Sequence, residues 1–134
     1  MVTVAYLALV SMAQHIPQSG TDADQAQWLP VHQLPPLAFD HAAIVETALI
    51  RLRNEIQSSL IGFTLLPREF LLRDLQKLHE QVLDQTLDKR NFRKKWLETS
   101  ILEPTGSVEA NVQHRAAQLY RLTAEAYRRL QKEN

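Results

Sequence analysis

Cysteine is missing from this chain altogether. No disulfide framework, thiolate metal site or cysteine nucleophile can be built, and a reducing, cytoplasmic setting is the natural expectation. Glycine is nearly as scarce. With only Gly20, Gly62 and Gly106, the chain offers neither a phosphate-cradling loop nor a nucleophile elbow. Long apolar runs are also lacking: no stretch of about 18 apolar residues occurs, so no membrane span is expected. The apolar opening Val2–Val10 has no basic region in front of it, which favours a buried strand over a signal peptide. The histidines at 15, 32, 41, 79 and 114 are scattered, with no pair at the i, i+4 spacing of a helical metal site. His79 reads as a partly buried or surface histidine rather than a ligand. Nothing in this inventory argues for an enzyme, a catalytic residue, a metal or a cofactor.

One further absence is local. Lys and Arg do not occur before Arg51, and all fifteen lie from there onward. Of the acidic residues, Asp22, Asp24, Asp40 and Glu46 precede that point. The formal net charge of +0 therefore conceals an acidic first part and a modestly basic remainder, the asymmetry of two parts with different jobs. A length of 134 residues is about one domain's worth and enough to bury a core.

The order of elements can be read along the chain. Val2–Val10 predicts a strand buried on both faces. Residues 11–27, with Pro17, Gly20, Asp22 and Asp24, read as a loop. Trp28–Leu34 predicts a short edge strand, confined there by Pro30. Asp40 is placed to cap a helix from His41 to about Gln57, with Phe39 and Ile44 at staple positions and Val45, Ala48, Leu49, Leu52 and Ile56 on one face. Leu60–Leu66 predicts a short strand closed by Pro67, and the domain boundary is drawn there.

From here the pattern becomes helix, turn, helix, hairpin, helix. Leu71 or Leu72, Leu75, Leu78 and Val82 give the first helix its inner face, and Asp84-Gln85 makes the turn. Asp88 caps a second helix from Lys89 to about Glu98, with Leu87 and Phe92 at staple positions. Ile101–Thr105 and Ala117–Leu122 predict two strands around a polar loop, and Ala124–Leu130 a terminal helix.

Asp88-Lys-Arg-Asn-Phe-Arg-Lys-Lys-Trp-Leu97 carries the chemistry. At about 100° per residue, Phe92, Trp96 and Leu97 share one side of the helix, while Asn91, Lys94 and Lys95 project from the other with Arg90 at its margin. Lys89 and Arg93 fall nearer the apolar side. Such a helix suits a major groove: cations neutralise phosphates, and Asn or Arg reads base edges. A solvated basic face is the plain alternative. The preceding helix and turn supply the spacing of a helix-turn-helix, and the hairpin supplies a wing. His114, Arg115 and Gln118 lie near its return, within reach of phosphate or the minor groove. The expected contacts are Asn91, Lys94 and Arg90 in the groove, with Lys89, Arg93, Lys95 and Arg115 on phosphates.

The strings Leu34-Pro-Pro-Leu-Ala-Phe-Asp-His41, Ala48-Leu-Ile-Arg-Leu-Arg53, Leu65-Leu-Pro67, Leu75-Gln76, Leu87-Asp-Lys-Arg-Asn-Phe-Arg93 and Ala117-Gln-Leu-Tyr120, with the opening Val2–Val10, resemble the Nudix-related transcriptional regulators of bacteria. The resemblance implies an α/β (α+β) chain in two parts. Residues 1–59 would be the later part of a Nudix-like α/β/α domain, and residues 60–134 a winged helix-turn-helix DNA-binding domain. It implies a repressor of NAD-biosynthesis or sugar-metabolism genes that acts as a homodimer on a palindromic duplex operator. It further implies an ADP-ribose-like effector where the full Nudix-like domain is present. The Nudix box and the first half of that domain would precede Met1; a fragment, a truncated gene or a misplaced start would each account for this. Hydrolysis of ADP-ribose is therefore not expected. Leu71 stands where relatives tend to offer a Thr cap, and Asp84 where they often have Gly. A protein-docking or dimerisation module is the reading from another class, separable because phosphate-driven binding weakens steeply with salt.

Overall fold

The computed structural model describes residues 4–10, 12, 26–38 and 40–133. The chain divides into two units, Met1–Arg51 and Leu52–Asn134.

In the first unit, Val4–Val10 runs without assigned secondary structure, and Tyr6 is 92% exposed. The buried strand expected over Val2–Val10 is thus not formed in its described part, because a strand's hydrogen bonds need a neighbouring strand. This segment lies against helix α1 (His41–Ser58), where Ala5, Tyr6 and Leu7 with Ala43, Ile44, Thr47, Ala48 and Arg51 line a shallow groove of about 330 Å³. The edge strand expected over Trp28–Leu34 is likewise replaced, by a 3-10 turn at Val31–Gln33 closed by Gln33 N–H to Pro30 C=O at 3.0 Å. Pro30 adopts φ −62°, which starts such a turn without strain.

Helix α1 follows its apolar spacing. Ile44, Val45, Ala48, Leu49 and Leu52 are half-buried and Ile56 is buried. Its first turn closes through Ile44 N–H to the Asp40 carbonyl at 3.1 Å; the staple partner Phe39 lies outside the described residues. At its end Ser58 Oγ donates to Asn54 C=O.

The strand expected over Leu60–Leu66 is instead a 3-10 segment, Ile61–Leu65. Phe63 N–H donates to Leu60 C=O and Leu66 N–H to Phe63 C=O, so the backbone satisfies itself locally and no sheet partner is needed. Gly62 packs against Ile56 and Leu78, whose side chains would lie 3.4 Å from a Cβ built there, an ordinary contact distance.

Helices α2 (Leu72–Leu83) and α3 (Lys89–Glu98) then form the helix-turn-helix. Leu71 begins α2 without a side-chain cap bond. Asp84 takes the left-handed conformation at φ 54°, ψ 46° and donates its N–H to Glu80 C=O. Asp tolerates that conformation at modest cost. Strands β1 (Leu102–Val108) and β2 (Gln118–Leu122) pair antiparallel, with Leu102 opposite Leu122 and Pro104 opposite Tyr120. Tyr120 gives both its backbone groups to Phe70, at 2.8 and 2.9 Å. Pro104 is therefore never asked for the N–H it lacks. Helix α4 (Ala124–Glu133) is capped by Thr123, whose Oγ1 accepts from Ala126 N–H.

The core of the second unit gathers Leu60, Phe63, Phe70, Leu72, Leu75, Phe92, Trp96, Leu102, Ala126 and Leu130. The 3-10 segment, α2, α3, β1 and α4 contribute to it, and β2 packs half-buried Tyr120 and Leu122 against it. The described residues thus make an α+β arrangement whose second unit is a winged helix.

Candidate nucleic-acid interface

The second helix of the pair is built from its cap inward. Asp88 Oδ1 accepts from Asn91 N–H at 2.8 Å, satisfying one of the N-terminal donors. Phe92 and Trp96, one turn apart, are buried, and the Phe63 ring meets Trp96 edge-on at 5.6 Å. Leu97, expected on the same side, is 42% exposed; about 100° separates it from Trp96, enough to carry it past the core's rim.

Two side chains of α2 fix the turn that aims α3. Glu80 Oε2 accepts from Leu87 N–H at 2.8 Å, and Gln76 Nε2 donates to Leu87 C=O at 3.0 Å. Both backbone groups of the residue before the cap are held from the preceding helix. Neither Glu80 nor Gln76 carries a composition signal for this role, because a polar residue on a helix is by default a surface residue.

His79 holds α3 from behind. It is only 3% exposed, more deeply buried than its sequence setting implied. Its ring faces Phe92 and Trp96 at 5.3 Å each. Nδ1 lies 2.9 Å from Leu75 C=O and Nε2 3.1 Å from Ile56 C=O, so a neutral ring donates to one of these carbonyls and only the protonated ring donates to both. Desolvation pushes its pKa down more strongly than the two carbonyls raise it, and Lys95 lowers it further. Trp96 Nε1 is buried without a hydrogen-bond partner.

With the aromatic pair buried, the polar residues of α3 distribute around the rest of the helix. Lys89, Arg90, Asn91, Lys94 and Lys95 are exposed and Arg93 is half-buried. Arg90 and Lys94 stand farthest from the core side by helical angle. Lys89 and Arg93 turn to one flank, where they line a groove of about 770 Å³ with His114, Arg115 and Gln118 of the hairpin and Leu71, Leu72 and Arg73 at the start of α2. Asn91 and Lys95 turn to the opposite flank, lining a hollow of about 320 Å³ with Gln57, His79 and Gln85. Lys95 Nζ sits 5.7 Å from the Trp96 ring. Five of the nine residues singled out from the sequence are therefore brought to one groove, and the others ride on the same helix.

Two groove residues were not signalled by the sequence. Arg73 donates through both terminal nitrogens to the Glu109 carboxylate, which also accepts from Ala117 N–H at 3.1 Å. His114 Nδ1 is 3.9 Å from the same carboxylate. The Arg73 guanidinium holds the Glu109 carboxyl below the usual carboxylate range. These partners lie 36 residues apart, beyond the reach of any spacing rule.

Among the described residues no group of three or more His, Asp or Glu side chains could hold a metal ion. No helix among them is long and apolar enough to cross a membrane.

Comparison with known proteins gives this geometry a context. The family of NrtR DNA-binding winged helix domains matches residues 62–122. The ADPR responsive transcriptional repressor NtrR of Acinetobacter baylyi is 31% identical over 128 residues, which cover 94% of this chain and 50% of that protein. The crystal structure of Shewanella oneidensis NrtR complexed with a 27mer DNA aligns at TM-score 0.57 and 33% identity, over 72% of this chain and 43% of that one. A second crystal structure of Shewanella oneidensis NrtR aligns at TM-score 0.55 and 30% identity, over 78% of this chain and 48% of that one. The chain thus spans about half the length of the relatives it matches. Residues 62–122 thus match the NrtR DNA-binding winged helix family, and the chain as a whole is similar to regulators of the NrtR type.

Proposed function

We propose that this chain binds duplex DNA through α3 and the wing and acts as a transcriptional repressor. The observation that carries the reading is the division of α3. Phe92 and Trp96 are buried, and the exposed remainder is Lys89, Arg90, Asn91, Lys94 and Lys95, joined at the helix end by Leu97 and Glu98. Arg90, Asn91 and Lys94 are assigned to the major groove. Lys89, Arg93, Lys95 and Arg115 are assigned to phosphates, with His114 and Gln118 beside them. Cations acting on phosphate set affinity, whereas an Asn amide pairing with a base edge sets preference.

The domain reading follows the same division of labour. Residues 60–134 are assigned to DNA binding and residues 1–59 to the later part of a Nudix-like effector domain. An ADP-ribose-like effector belongs to the complete effector domain, as the name of the Acinetobacter baylyi relative suggests. We assign no hydrolase activity to this chain. Repression of NAD-biosynthesis or sugar-metabolism genes, a homodimeric state, a palindromic operator and a cytoplasmic location complete the proposal.

Fluorescence anisotropy on the 27mer duplex sequence used with the Shewanella oneidensis relative, against a scrambled duplex of equal length, tests it. Lys94→Ala removes a cation from the groove and should weaken binding to both duplexes by about tenfold. Asn91→Ala should mainly narrow the preference between them. If both variants bind as the unsubstituted chain does, the role given to α3 is wrong.

A further inference from the structure

Among the described residues lining the groove between α3 and the wing, Glu109 is the only carboxylate. Charge alone makes it a poor occupant of a surface meant for phosphates. Yet it is the best-held side chain there: only 8% exposed, gripped by both terminal nitrogens of Arg73 and by Ala117 N–H. Its backbone N–H also donates to Ala117 C=O at 2.9 Å. The β1–β2 register is interrupted between Pro104 and Val108, and its last paired residues are Val108 and Gln118. Immediately beyond that pair, the Glu109 side chain takes the donor that a continuing ladder would have given to backbone. The other end of the ion pair, Arg73, belongs to the first turn of α2. A two-pronged guanidinium–carboxylate contact fixes orientation as well as distance.

We propose that Glu109 is a positioning residue that, with Arg73, latches the wing to the start of α2 and so holds Arg115 and His114 beside Lys89 and Arg93 for phosphate contact. The claim rests on the DNA-binding reading above but is separable from it. Without the latch, the neck of the wing retains only backbone pairing on one side, and the largely exposed loop 110–115 loses its tie to the helix-turn-helix. Arg115 then pays the entropy of ordering each time it meets a phosphate.

The sign of one substitution decides the matter. Glu109→Gln removes a negative charge beside DNA, which on electrostatic grounds strengthens binding; loss of positioning weakens it. On the same 27mer duplex across a salt series, Glu109→Gln should bind about three- to tenfold more weakly, with a salt slope smaller by about 1. In an Arg115→Ala background the same change should cost little more. Hydrogen exchange without DNA gives an independent readout: Glu109→Gln and Arg73→Gln should both speed exchange at the Ala117 amide while leaving the Phe92 amide protected, which also shows that the fold is retained. Binding that is tighter or unchanged in Glu109→Gln, or an Ala117 amide indifferent to Arg73→Gln, overturns the latch. Lys94→Ala measured alongside reports on α3: if that variant binds normally the α3 reading falls, while the Glu109 result is still judged by its own sign.

Discussion

Every residue of Val4–Val10 is apolar, whereas Lys89–Glu98 is mostly charged. Yet the charged segment owns a core, and the apolar one has no assigned structure and a largely exposed surface. The difference lies in where each segment finds its hydrogen bonds. A helix closes its ladder within itself and needs only a cap and a stripe to bury. Asp88 and the Phe92–Trp96 pair supply both. A strand has no internal ladder, so apolar content alone cannot make one. Hydrophobicity therefore says less about order than the range over which a segment's bonds must be made.

That comparison can be broken at graded strengths, each read as the urea midpoint of the full chain. Trp96→Ala opens the largest void, against Phe63, His79 and Phe92, and should cost about 3–5 kcal/mol. A loss under about 1 kcal/mol would mean that α3 is not anchored by its aromatic pair.

His79→Ala comes next, at about 2–3 kcal/mol, because it removes ring packing against Phe92 and Trp96 together with the one bond a neutral ring donates, to Leu75 or Ile56 C=O. The same residue sharpens the comparison through pH. Its folded-state pKa lies below 6.5, so the unfolded chain takes up the proton first. Its contribution to stability is whole above pH 6.5 and is lost as pH falls from there toward the lower folded value. A midpoint that rises on acidification through that range, or a His79→Ala variant with the same acid response, would contradict the assignment. Asp88→Ala removes the cap bond to Asn91 and should cost about 1 kcal/mol. Tyr6→Ala should stay within about 0.5 kcal/mol of the unsubstituted chain. A Tyr6 effect as large as that of Trp96 would erase the contrast between the two segments.

The same rule sorts what could be read in advance from what could not. Helices α1, α2 and α3 start where Asp40, Leu71 and Asp88 suggested, and the helix-turn-helix with its wing follows the predicted order. The three predicted strands outside the wing did not form among the described residues. Leu60–Leu66 is instructive: its apolar run suits a buried strand and a buried 3-10 turn equally, and the turn satisfies its backbone locally, through Phe63 N–H to Leu60 C=O and Leu66 N–H to Phe63 C=O. The basic residues of α3 were legible because one heptad contains them, but their allocation to two flanks depends on what α3 packs against.

By itself, the sequence determined the features whose causes lie within a few residues: helix caps, apolar stripes, the turn at Asp84-Gln85, and a basic helix that can bury one side only. Tertiary structure alone decided the rest. It set His79 between Ile56 and the aromatic pair, hung Leu87 on Gln76 and Glu80, and joined Arg73 to Glu109 across 36 residues. Local sequence encodes local geometry, but a contact between distant residues exists only once the chain has folded back on itself and the loop-closure entropy has been offset by the core that Phe92 and Trp96 help to build.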